Sequence, residues 1–129
     1  MVVTITIPYK ANTLSNGSDG WSDNHIHQGG HRASSLTPEA KGTRDAIIWL
    51  LKNAIAKTDW IPVAPLSVDI QGTFRDSKHC IDLQNSITLI SNAIQSATRV
   101  NDKQFSIHTG LPKFDQNIEP EITITVEQL

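Results

Sequence analysis

This chain has a single cysteine, Cys80, so no disulfide can form within it and folding does not depend on an oxidising compartment. No apolar run approaches the roughly 20 residues that cross a bilayer. The opening Met-Val-Val-Thr-Ile-Thr-Ile-Pro lacks the basic start and long apolar stretch of a leader. A cytoplasmic protein with no membrane partner is the expectation. Gly-rich phosphate loops, dinucleotide fingerprints and a His-Glu-x-x-His pattern are also missing. Cys80 adjoins His79, but neighbours in a strand or turn point apart and no thiol-enzyme motif surrounds them, so nucleophilic catalysis is poorly supported.

Positive charge is in short supply as well. The 11 Lys and Arg against 13 Asp and Glu give a net charge of −2, whereas phosphate binding normally shows as a basic excess. The acids are unevenly placed: residues 115–129 hold Asp115, Glu119, Glu121 and Glu127 and no Lys or Arg. Without these four the 13 acids fall to 9 against 11 bases, a balance of +2. A locally basic face is compatible with the acidic total.

With 129 residues and 38% hydrophobic content, the chain reads as one domain spanning 1–129, long enough to bury a core. Val3, Ile5 and Ile7 alternate with Thr4 and Thr6, a strand with one buried face, closed by Pro8. Residues 9–36 are rich in Asn, Ser, Gly and His, a loop of unusual length for a compact domain and thus a functional flap or a partly disordered segment. Thr37-Pro38-Glu39 predicts a helix start, with a hydroxyl cap, Pro at the first position and an acid at the positive end of the dipole. That helix should reach about Lys57, with Ile47, Leu51, Ala54 and Ile55 inward. Ile48, Trp49 and Leu50 widen its apolar arc and offer a second contact surface, a candidate subunit interface.

Leu66, Val68 and Ile70 alternate with polar residues in another strand, and Gly72 to His79 reads as a polar, partly basic turn. A second helix is expected from about Asp82 to Ala97, with Leu83, Ile87, Ile90 and Ile94 on one face. Phe105 and Ile107 mark a short strand, and Ile122, Ile124 and Val126 a final one. The predicted class is α+β, a mixed sheet covered by two main helices in the order β-loop-α-β-α-β-β.

Three groups could carry chemistry. Asp82 opens the second helix, Asn85, Asn92 and Ser96 continue its polar strip with Leu89 interrupting, and Asp102 follows the helix. Two aspartates with an amide oxygen from Gln84 or Asn101 could hold magnesium, which takes one or two protein carboxylates and completes its octahedron with water and phosphate. A return loop could bring Asp102 back towards Asp82. A helix cap and a turn aspartate account for the same spacing. His25, His27 and His31 could share a zinc ion in an extended segment, but there is no companion Cys pair. A solvated Gly-rich loop is the better reading, and its functional alternative is a flap in which His and Arg32 meet phosphate. Arg75, Lys78 and His79 form a basic turn ahead of Asp82, suited to flanking phosphates, although a solvated loop has the same composition.

In order and spacing these segments resemble the RusA-type Holliday-junction resolvases, small phage-associated and bacterial endonucleases. The likeness runs nearly end to end. Val3–Pro8 with Asn12 is similar to the family's opening strand and turn, and the segment from Leu36 to Asp45, continuing to Ala54, to its first helix. Asp82-Leu83-Gln84-Asn85 resembles its Asp-Leu-Asp-Asn motif, Asn92-Ala93-Ile94 its Asp-Ala-Leu, and Asn101-Asp102-Lys103-Gln104-Phe105 its Asp-Asp-x-Gln segment.

The resemblance implies a mixed α/β homodimer whose aspartates bind magnesium and which nicks branched DNA. Asp82 and Asp102 match acidic positions and would be metal ligands, with manganese as a substitute ion. Gln84 would supply a neutral catalytic oxygen, and Arg75, Lys78, Arg32 and His79 would contact DNA. Asn85, Asn101 and Thr88 would support the site. Gln84 stands where the family has its second aspartate, Thr88 where it has a lysine, and Asn101 where the paired aspartate begins. Each neutral replacement weakens metal binding or removes a cation near the phosphate. Two readings follow: a divergent magnesium-dependent endonuclease with a weakly bound ion, or a RusA-fold homodimer that binds junctions or another partner without cutting.

Overall fold

A computed structural model describes residues 1–9, 38–78, 80–81 and 83–129, with the backbone alone of 25–27 and 34–36. Strand β1, Val2–Pro8, opens the chain. A short hairpin of β2, His25–His27, and β3, Ser34–Leu36, lies within the segment expected to be loop, and α1 runs from Pro38–Ala56. Next come β4, Leu66–Phe74, a 3-10 turn over Leu83–Ser86, and α2, Ile87–Thr98. A second 3-10 turn, Asp102–Gln104, leads into β5, Phe105–Thr109, then β6, Lys113–Phe114, and β7, Glu121–Gln128. The fold is α+β with a mixed sheet and two helices, as expected. The β2–β3 hairpin and the two-residue β6 are additions to the predicted order.

The main sheet runs β1-β7-β4-β5, with β6 continuing the β5 edge of β4. β7 is antiparallel to both β1 and β4, whereas β4 is parallel to β5 and β6. The three alternating sequences dictate this arrangement, because each has one apolar face to bury. Val3, Ile5 and Ile7 of β1, Ile122, Ile124 and Val126 of β7, and Leu66, Val68 and Ile70 of β4 share one core with Ile47 and Leu51 of α1 and Ile90 and Ile94 of α2. Each such side chain contributes about 1.5–3 kcal/mol by leaving water. The opposite sheet face is polar: the hydroxyls of Thr4 and Thr125 meet at 3.2 Å, those of Thr6 and Thr123 at 3.3 Å, and Asp69, Ser106 and His108 are exposed.

β4 is longer than its alternating core predicted. Gly72, Thr73 and Phe74, expected in a turn, stay in register with β7 and β6. Phe74 explains the extension: it is fully buried, stands edge-on to Tyr9 with centroids 5.3 Å apart, and folds its ring over Gly72. A Cβ at Gly72 would lie 2.5 Å from that ring. At the other end of the sheet the Gln128 side chain anchors the segment after α1. Its oxygen accepts from the Trp60 indole and the Val63 amide, both at 3.1 Å, and its nitrogen donates to the carbonyls of Val63 at 2.7 Å and Pro65 at 3.0 Å.

Candidate functional site

β4, α2 and β5 form a β-α-β unit with parallel strands. Such a unit puts the helix start at the carboxyl ends of the strands and the helix end at their amino ends, and ligands of open α/β sheets bind at the carboxyl side. Here the carboxyl side holds the motif turn. Ile81, Leu83 and Gln84 face Thr109, Gly110, Leu111 and Pro112 across a groove of about 160 Å³.

The groove wall is built by Gln71. Its amide nitrogen donates to the Leu111 carbonyl at 2.7 Å and to the Gly72 carbonyl at 3.1 Å, while the Gly110 amide donates to the Ile70 carbonyl at 3.0 Å. The edge strand thus leaves β4 after Thr109 and rejoins it at Lys113, with the Gln71 side chain filling the gap. Gly110 leaves room for this side chain: a Cβ there would collide with the Gln71 oxygen unless Gln71 gave up its present position and hydrogen bonds.

The helix expected to open at Asp82 is instead a 3-10 turn followed by α2. Residues three apart eclipse in a 3-10 turn, which lets Leu83 and Ser86 both be buried. The Ser86 hydroxyl donates to the Leu83 carbonyl at 2.6 Å and so does not cap α2. Gln84, Asn85 and Thr88 are exposed. Arg75 is exposed at the end of β4 and meets Glu119 at 3.7 Å, an open ion pair of small energetic consequence. Lys78 is exposed too, its amide donating to Asp76 at 2.9 Å in a tight turn. Arg75 and Lys78 therefore stand on the same side of the sheet as Gln84. Asp76 in that turn, with Asp115 and Glu119 beyond β6, offsets them and Lys113, so this rim is not a basic patch.

Asp102 lies elsewhere. It begins the turn ahead of β5, and its amide donates to the Gln95 side-chain oxygen near the end of α2 at 2.8 Å. Asn101 caps that turn by accepting from the Lys103 amide at 2.9 Å. A groove of about 460 Å³ opens beside Gln95, lined by Asn92 and Ser96 of α2 and Arg44, Asp45 and Ile48 of α1, with buried Leu89 at its floor. Of the expected polar strip, Asn92 and Ser96 lie on α2 and face α1, whereas Asn85 lies in the 3-10 turn before it.

The whole of α2 separates Gln84 from Asp102. Its 12 residues span about 18 Å at 1.5 Å per residue. Ligands of one magnesium ion lie about 2.1 Å from it, so their atoms cannot be much more than 4 Å apart. Within one chain, Gln84 and Asp102 do not fit a common ion; the expected return of Asp102 towards Asp82 falls on a residue outside the described ones. Asp82, His79, His31 and Arg32 lie outside the described residues, as do the side chains of His25 and His27. Among the described residues no three His, Cys, Asp or Glu side chains gather as a metal centre. No described helix is long and apolar enough to cross a membrane.

Sequence reasoning missed Gln71, Gly110 and the 109–112 wall, and also Gln95 as the anchor of Asp102. Gly110-Leu111-Pro112 after an alternating segment was the available signal for a strand that breaks off beside a groove. No protein-family model matches the chain, and no curated protein matches it.

Proposed function

We propose that this chain is a divergent RusA-like protein of branched DNA that binds a junction without cutting it efficiently. The observation that carries this choice is the separation of Gln84 from Asp102 by the length of α2. Together with neutral residues at 84, 88 and 101, it argues against one complete magnesium centre per chain. Support for the DNA reading comes from the motif order, and from Arg75 and Lys78 standing exposed on the same side of the sheet as Gln84, at the carboxyl side of the parallel strands. The few available cations imply weak, salt-sensitive binding. Engaging three phosphates through Arg75, Lys78 and Lys113 corresponds to a log–log salt slope of about −2.7 per protomer.

The second reading is a magnesium-dependent endonuclease. It is favoured by Asp82 in the Asp-Leu-Gln-Asn segment and by Gln84 as a neutral oxygen two residues on. A labelled four-way junction incubated with the protein, in magnesium and then in manganese, separates the two. Retardation of the junction over a duplex of equal length, with intact strands in both metals, supports binding without cleavage. Cut strands that disappear with Asp82→Asn would establish the endonuclease instead. No preference for the junction over duplex would remove both.

A further inference from the structure

We infer that the outer edge of β1 is a self-association surface, on which a second copy of this chain adds its own β1 antiparallel to the first. The hydrogen bonding of β1 fixes which groups are available. The Met1 carbonyl accepts from the Gln128 amide and the Tyr9 amide donates to the Pro120 carbonyl, both at 2.8 Å. In an antiparallel ladder inward-facing residues alternate, so the odd positions from 1 to 9 bond β7. The N–H and C=O groups of Val2, Thr4 and Thr6 therefore point away from the sheet, and among the described residues no strand pairs that edge.

The edge opens on a groove of about 350 Å³ between β1 and α1, whose lining includes Thr4, Thr6, Trp49, Leu50, Asn53 and, as its one charged residue, Lys57. Trp49 is 65% exposed there, and Met1 and Val2 are exposed along the same seam. Large apolar groups beside an unpaired strand edge form the geometry of strand addition.

The occupant follows from chemistry. Exposed edges are ordinarily blunted by charge, internal Pro or a bulge. From Val2 to Ile7 β1 has no charged residue or Pro, and its register with β7 runs without a bulge to Pro8 at its end. Paired with itself about a two-fold axis at Thr4, it sets Thr4 opposite Thr4 and Val2 opposite Thr6. No like charges meet, and about six backbone hydrogen bonds form at two per pair. Threonine hydroxyls already pair across β1 and β7 on the polar face, and the new rung repeats that pattern. The two α1 helices would flank the seam, each covering the other's Trp49. The closed two-fold uses up the outer edge of β1 in both copies, so growth through this edge stops at a dimer.

This surface would supply the homodimer that the RusA resemblance implies, and it stands or falls separately from DNA binding. Light scattering on a sizing column tests it, with Thr6→Pro and Thr4→Lys. Thr6→Pro removes an outward N–H, a place where an edge strand tolerates Pro, together with the exposed hydroxyl contact to Thr123, and Thr4→Lys gives up the contact to Thr125 and sets two cations against each other at the axis. The expected result is a dimer for the natural chain and folded monomers with the same circular dichroism for both variants, melting lower by the association they have lost. If either variant fails to fold, Thr4→Cys with Cys80→Ser decides: oxidation should give a covalent dimer. A natural chain that is monomeric at micromolar concentration, folded variants that remain dimeric, or no crosslink would overturn the inference. A dimer that ignores junctions removes only the DNA reading, and a monomer that retards them removes only this interface.

Discussion

Gln84 and Asp102 occupy opposite ends of α2, one beside Thr109 at the carboxyl end of β5 and the other ahead of Phe105 at its amino end. In the sequence they are flanking members of two short acidic motifs. In the fold Gln84 lines one groove, whereas Asp102 is held by Gln95, which lines another, and the two grooves share no residue. Substitutions more than 7–10 Å apart with no shared partner add to within about 0.3–0.5 kcal/mol. Urea unfolding of Gln84→Ala, Asp102→Ala and the double variant should therefore show simple addition. A coupling of 1 kcal/mol or more on this scale would mean that the residues interact.

Gly110 and Gln71 should behave in the opposite way. Gly110→Ala forces a methyl group onto a side chain held by the Leu111 and Gly72 carbonyls, an overpacking that costs about 1–3 kcal/mol. Gln71→Ala removes the obstacle along with its hydrogen bonds, each worth about 1 kcal/mol. The double variant is then less destabilised than the sum of the two, and denaturant midpoints measure the difference.

Much of the architecture was legible because burial imposes a period. Val3-Ile5-Ile7, Leu66-Val68-Ile70 and Ile122-Ile124-Val126 each admit one buried face, and Pro38-Glu39 marked the start of α1 within a residue. Thr37, expected to cap it, lies outside the described residues. The ends of elements were harder to read, since they depend on distant packing. Phe74 prolongs β4 by reaching Tyr9, and Ser86 tightens the start of α2 by bonding Leu83. The candidate site was least legible. Spacing placed Asp102 just after a helix, but whether the chain then returns to the helix start or enters a parallel strand is a matter of topology. β5 running parallel to β4 decides it.

Arg99 ends α2 in the left-handed region, with φ 61° and its amide donating to the Gln95 carbonyl at 2.7 Å. A side chain there costs about 1–2 kcal/mol relative to glycine, which is why glycine is preferred at this position. Part of that gain is lost to the greater freedom of glycine in the unfolded chain. Arg99→Gly should raise stability by about 0.5–1 kcal/mol, seen as a higher melting temperature with the fold unchanged by circular dichroism.

The division of the acidic motifs between the two ends of α2 is tested most directly by calorimetric titration of manganese into Gln84→Asp, with and without Asp102→Asn. The account predicts that Gln84→Asp gains affinity for the ion over the natural chain, and that adding Asp102→Asn leaves the gain intact. Loss of that gain on adding Asp102→Asn, on the order of tenfold or 1.4 kcal/mol, would mean that positions 84 and 102 serve one ion and would contradict it.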